Sequence, residues 1–175
     1  MDELRIRPAL IEDAAGIARV HVQSWQSAYL GLIPDSFLQG LSVEQRTVNW
    51  TKNIETPLPN THTFIAEIGE EIIGFIGVGA EREGDLSNQG EVFAIYVSPN
   101  MQGHGIGVAL MRAGIQNLME QGFPCAFLWV LEGNLRTRAS YESHDWKATG
   151  RSKIDQRGDF VLEEIEYRME FKADK

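Results

Sequence analysis

The chain has 175 residues, of which 25 are acidic and 16 basic, for a net charge of −9; 43% of its side chains are hydrophobic and 23% charged. These figures predict a single domain over residues 1–175 with a proper core and exclude wholesale disorder. The single cysteine excludes an internal disulfide framework, no apolar run reaches the ~20 residues that span a bilayer, and the negative charge argues against general nucleic-acid binding. The opening Met1-Asp2-Glu3-Leu4-Arg5 has no signal-peptide pattern, so a cytoplasmic location is expected.

Leu4 and Ile6 alternate with Arg5 and Arg7 as a short strand stopped at Pro8. Glu12-Asp13 then opens a helix running to about Tyr29, with Ile17, Val20, His21, Ser24/Trp25 and Ala28 at helical spacing. Gly31 ends it, and Pro34-Asp35 starts a second helical region to about Lys52, broken near Gly40. Thr56–Asn60 reads as a loop. Strands at Thr63–Ile68 and Ile72–Ala80 flank the turn Gly69-Glu70-Glu71 as a hairpin.

A polar loop, Glu81–Gln89, leads to Val92–Val97, apolar on both faces as a central strand should be. A helix from about Gly105 to Glu120 follows, with Leu110, Met111, Ile115, Leu118 and Met119 as its buried stripe. The remaining expectations are a strand at Cys125–Leu131, a helix from about Leu135 to His144, a strand near Trp146 and a last strand at Phe160–Phe171. Their order predicts a mixed α/β sheet with helices on both faces.

The segment Ser98-Pro99-Asn100-Met101-Gln102-Gly103-His104-Gly105-Ile106-Gly107 carries three glycines at alternate positions between a central strand and a helix. Such a loop lets backbone approach a ligand, and the free N–H groups of the next helix converge on a phosphate or pyrophosphate. A dinucleotide fingerprint would need glycine at Val108. A Walker loop would need a lysine, and none lies between Lys52 and Lys147. A tight turn with no ligand is the plainer alternative.

Gln102-Gly103-His104-Gly105-Ile106-Gly107 matches the Gln/Arg-x-x-Gly-x-Gly/Ala signature of the GCN5-related N-acetyltransferase (GNAT) superfamily, and Glu91–Pro99 is similar to that family's fourth strand. Asn134-Leu135-Arg136-Thr137-Arg138-Ala139-Ser140-Tyr141-Glu142 resembles its Asn-x-x-Ala-x-x-Phe-Tyr-Glu helix. Ser24–Tyr29 with Gly31-Leu32-Ile33-Pro34 looks like a bacterial small-molecule, polyamine-type subgroup. Departures are Asp145-Trp146 for Gly-Phe, Ser140 for Phe and Thr137 for Ala. The resemblance implies a mostly antiparallel sheet of about seven strands with about four helices, strands four and five splayed to hold acetyl-CoA.

It also implies the roles. Pyrophosphate would sit on the N–H groups from Gln102 through Gly103, His104, Gly105 and Ile106 to Gly107. A bulge around Ile95, Tyr96 and Val97 would free backbone for the pantetheine arm, the Val97 N–H would stabilise the oxyanion, and Arg138 could reach the 3′-phosphate. The amine must lose its proton before attack; Glu91 would accept it through water, and Tyr141, near Asn134, would protonate the departing thiolate.

Each role has a plainer counterpart: Glu91 as a solvated residue at the start of a strand, Tyr141 as a core aromatic. Cys125 reads as core and His21, His62 and His144 as structural or surface groups, while His104 caps the loop. Trp25 and Tyr29, one turn apart, would wall an amine pocket by cation–π contact or simply pack the helix. Residues 1–90 carry a net −7 and residues 91–175 a net −2, with Glu81, Glu83 and Asp85 in one loop, which hints at a cationic acceptor.

The expected function is acetyl transfer from acetyl-CoA to a primary amine of a small cation in a ternary complex, with no metal, no nucleic acid and no membrane; a homodimer is left open. The alternatives are a protein N-terminal or lysine acetyltransferase and a non-catalytic acyl-CoA-binding sensor.

Overall fold

The computed structural model describes residues 3–82 and 88–171; the expected roles of Glu83 and Asp85 lie outside them. Seven strands form one sheet: β1 (Leu4–Pro8), β2 (His62–Ile68), β3 (Glu71–Ala80), β4 (Gly90–Val97), β5 (Cys125–Leu131), β6 (Lys147–Arg157) and β7 (Phe160–Glu170). Their order is β1-β2-β3-β4-β5-β7-β6. All neighbours are antiparallel except β4 and β5, which run parallel. The helices are α1 (Ala14–Ala28), α2 (Asp35–Gln39), α3 (Val43–Glu55), α4 (Ile106–Glu120) and α5 (Leu135–Glu142). There are five rather than four because the second helical region stops at Gly40 and restarts under the Ser42 cap, whose hydroxyl accepts from the Gln45 N–H.

Both sheet faces are covered, and β3 shows why: eight of its ten residues are buried, Ile73, Ile76 and Val78 toward α4, Ile72 and Phe75 toward α1. The α4 stripe differs from the apolar reading. Met119 is exposed, while Gly114 is buried where a Cβ would lie 2.7 Å from Ile76 Cδ1 and 2.9 Å from Val78 Cγ1. Close helix–sheet packing, which an apolar count cannot register, selects glycine there.

The decisive feature is a gap. β4 and β5 pair only at Gly90 with Ala126 and Glu91 with Phe127, then part. The bulge that accompanies this lies at Phe93, between the Val78–Val92 and Gly77–Ala94 pairs, upstream of the expected Ile95–Val97. It falls just past the last β4–β5 pair, where β4 must bend away from β5 while keeping β3. The strand expected near Trp146 is instead the eleven-residue β6, with Trp146 buried just before it. Asp145 adopts φ +66°, the left-handed conformation that its glycine-like position demands.

At the other sheet edge Arg7 donates to both Asp13 oxygens at 2.7 and 2.9 Å and to Glu67 Oε2 at 2.8 Å. Both carboxylates are buried, and Arg5 joins Glu67 from outside. This cluster ties β1 and β2 to the start of α1.

Candidate active site

The loop after β4 presents an open stretch of backbone. Gly103 and Gly105 take φ +83° and +77°, and a Cβ on either would meet nothing within 4 Å, so their open face looks outward. Gly105 caps α4 without a side chain, which leaves the first helical N–H groups free of side-chain acceptors. His104 Nδ1 lies 3.1 Å from the Gln102 carbonyl and 3.3 Å from that of Met101, so it donates and closes the loop on itself. Ile106 sends its side chain into the core, and Gly107 sits 3.8 Å, as a notional Cβ, from Val97.

The gap between β4 and β5 is a cavity of about 140 Å³ lined by Ile95, Tyr96, Val97, Gln102, Asn134 and Tyr141, with Tyr29 and Ser24 from α1. Seven sequence-predicted site residues, Tyr29 among them, thus meet in one place. Asn134 caps α5 by accepting from the Thr137 N–H at 3.3 Å, which fixes the helix carrying Tyr141. Burial, with Tyr96 adding to it, pushes the Tyr141 phenol well above the ordinary tyrosine range, so it keeps its proton at any physiological pH. Ser24 Oγ donates to the Val97 carbonyl at 3.2 Å and ties α1 to the cleft.

A second cavity, about 660 Å³, adjoins the first. Tyr29, Tyr96, Trp129 and the Val92–Ala94 stretch line both, and Trp25 and Glu91 line only the larger. Trp25 and Tyr29 contact edge to face at 4.9 Å. Glu91 is buried and doubly engaged: Arg82 Nη2 donates to Oε1 at 2.9 Å, and the Arg82 N–H and Nε donate to Oε2 at 3.1 and 3.3 Å. His21 is held neutral inside the aromatic wall; burial, then the Arg46 charge, lowers its pKa to about 3, and its Nδ1 accepts from Trp50 Nε1 at 3.2 Å.

Sequence reasoning missed Arg46 on α3 and Glu164 on β7, which both line the larger cavity. Burial raises the Glu164 pKa although Lys153 stands 3.5 Å away. Only their convergence in space marks them.

Residues 23–146 match the Acetyltransferase (GNAT) family. The chain belongs to that family. Among its relatives, the uncharacterized N-acetyltransferase YuaI of Bacillus subtilis is 33% identical over 129 residues, 74% of this chain and 72% of that one. Mycothiol acetyltransferase of Streptomyces scabiei is 39% identical over 79 residues, which are 45% of this chain but 25% of that protein. In fold, PaiA N-acetyltransferase of Thermoplasma acidophilum, solved with coenzyme A, superposes with a TM-score of 0.75 at 19% identity, covering 97% of this chain and 99% of that one. YncA of Salmonella typhimurium, solved with acetyl-CoA, gives 0.68 at 18% identity over 98% and 95%.

The protein is thus a GNAT acyltransferase. Arg138 does not stand free: its Nη1 donates to the Glu132 carbonyl at 2.9 Å and its Nε to Tyr167 Oη at 3.3 Å. Cys125 is buried in β5, and burial raises its pKa, as fits a core thiol. Among the described residues no group of His, Cys, Asp or Glu is arranged to hold a metal, and no helix is long and apolar enough to cross a membrane.

Proposed function

We propose that the protein transfers the acetyl group of acetyl-CoA directly to a primary amine of a small molecule, both being bound at once. The observation that carries this is the shared wall: the β4–β5 cleft, with Tyr141 in its lining, adjoins the 660 Å³ cavity along Tyr29, Tyr96 and Trp129. Acetyl-CoA entering the cleft would lay its pyrophosphate on the N–H groups from Gln102 to Gly107 and its thioester at the junction. In the related structures of PaiA and YncA the bound coenzymes make that choice of ligand the natural one. To reach the 3′-phosphate, Arg138 would exchange its bond to Tyr167.

The amine arrives as an ammonium and gives its proton, through water, to Glu91; Glu164 is another carboxylate of the same cavity. The nitrogen lone pair attacks the thioester carbon, and the Val97 N–H stabilises the oxyanion. As the C–S bond breaks, the sulfur takes the Tyr141 proton, and the second proton that the nitrogen sheds as the amide forms passes through water to the Tyr141 phenolate. No acyl-enzyme is needed, and Cys125 plays no part.

The acidity of residues 1–90 favours a cationic acceptor. Among the described residues the carboxylates of the cavity wall are already paired: Glu91 with Arg82, Asp155 with Arg157 at 2.7 Å and Glu164 with Lys153. Release of free thiol from acetyl-CoA in the presence of amino acids, polyamines and aminoglycosides tests the proposal. Silence with every acceptor, despite CoA binding, would leave the sensor reading in its place.

A further inference from the structure

The larger cavity contains a cation that no carboxylate among the described residues pairs. Among the described residues three carboxylates line it, each paired as above, and five basic side chains line it with them: Arg46, Lys52, Arg82, Lys153 and Arg157. Removing the three pairs leaves Arg46 and the exposed Lys52. Arg46 is half-buried, its guanidinium carbon 5.7 Å from the centre of the Trp25 ring, and among the described residues no carboxylate or carbonyl accepts from it.

A guanidinium is a planar fork of five donors that cannot shed its charge, and leaving it partly desolvated with no acceptor is costly. Burial lowers its pKa, and Arg157 across the cavity lowers it further, while the nearby Tyr96 acts the other way. An anionic group entering the cavity would relieve both the desolvation and the repulsion. A carboxylate fits the fork with two parallel hydrogen bonds.

We propose that the acceptor is an amine that also carries a carboxylate, held by Arg46 while the amino group points to the junction with the cleft. The amine in this statement rests on the acetyl-transfer reading above; the carboxylate rests on Arg46 alone. On this reading the net negative charge of the chain does not describe its acceptor.

The test compares matched pairs, each an α-amino acid and the amine left by removing its carboxylate, in two measurements. The first is thiol release from acetyl-CoA. The second is quenching of tryptophan fluorescence, with Trp25 and Trp50 in the cavity wall, when the N-acetylated member of each pair is added to the protein with CoA. In both, the carboxylated member should be favoured by about tenfold or more, as a charged hydrogen-bond pair implies. Arg46→Gln should close that gap, and Arg46→Lys should restore part of it, with CoA binding confirming that both variants fold. Equal use of both members by the wild-type protein would overturn the inference and leave acetyl transfer standing. Thiol silence with Arg46-dependent binding of the carboxylated ligands would do the reverse.

Discussion

Tyr29 and Tyr96 bring their hydroxyl oxygens to 3.5 Å of one another where the two cavities meet. One comes from the end of α1 and the other from the strand that β5 abandons. Burial raises both phenols, Tyr29 well above the tyrosine range, so the junction between cleft and acceptor cavity is polar yet uncharged.

Tyr141 should act as a proton donor. Tyr141→Phe is expected to lower kcat by about 10²–10⁴ and leave the Kd for CoA unchanged, because only the transfer of one proton is lost. In the wild-type protein the alkaline fall in kcat should lie above the ordinary tyrosine range, since burial raises the phenol. A pH–rate profile falling through pH 8 would contradict this.

Glu91→Gln should lower kcat about 100-fold at neutral pH and less at alkaline pH, where the amine is already neutral in solution. Comparison with Glu164→Gln over the same pH range separates Glu91 from Glu164. A uniform loss at every pH would mean that Glu91 only holds Arg82.

Acid should unfold the protein in two stages. His21 has a lowered folded pKa, so its contribution is full above about pH 6.5 and is lost progressively toward its folded value of about 3. Asp13 and Glu67, lowered chiefly by their hydrogen bonds to Arg7, add stability above about pH 4 that disappears as pH falls through their lower folded values. Arg7→Met should remove about 3–5 kcal/mol at neutral pH by leaving the buried Asp13 without its cation, while Glu67 keeps Arg5. Denaturant melts of both proteins between pH 3 and 8 check these expectations.

Gly114→Leu should cost about 1–3 kcal/mol through overpacking against Ile76 and Val78, read as a lower midpoint of denaturation. Cys125→Ala should keep turnover. Loss of turnover with intact CoA binding would point to an acyl-cysteine.

Much of the scaffold was legible in the chain because it is governed by local patterns. β5 is an unbroken apolar run whose limits, Cys125–Leu131, coincide with those expected, and the β2–β3 hairpin follows from two such runs around a turn. β6 escaped because it is an edge strand: nine of its eleven residues are exposed, and its pairing with β7 slips between Ala148 and Ser152, so neither burial nor alternation marks it. The bulge at Phe93 answers to the divergence of β5, a contact between distant segments.

The site divides in the same way. The glycine loop and Tyr141 lie in short motifs that can be read in order. Arg46 and Glu164 are ordinary charged residues on a helix and a strand, and they acquire meaning only where the fold places them around one cavity.

The most direct measurement is the yield of N-acetylated amine per thiol released when the protein, acetyl-CoA and an acceptor are mixed, for the wild-type chain and for Tyr141→Phe. The account predicts one acetylated amine for each thiol and a rate that falls at least about 100-fold in the variant with CoA binding unchanged. Thiol release without acetylated amine, or an equal rate in both proteins, would contradict it.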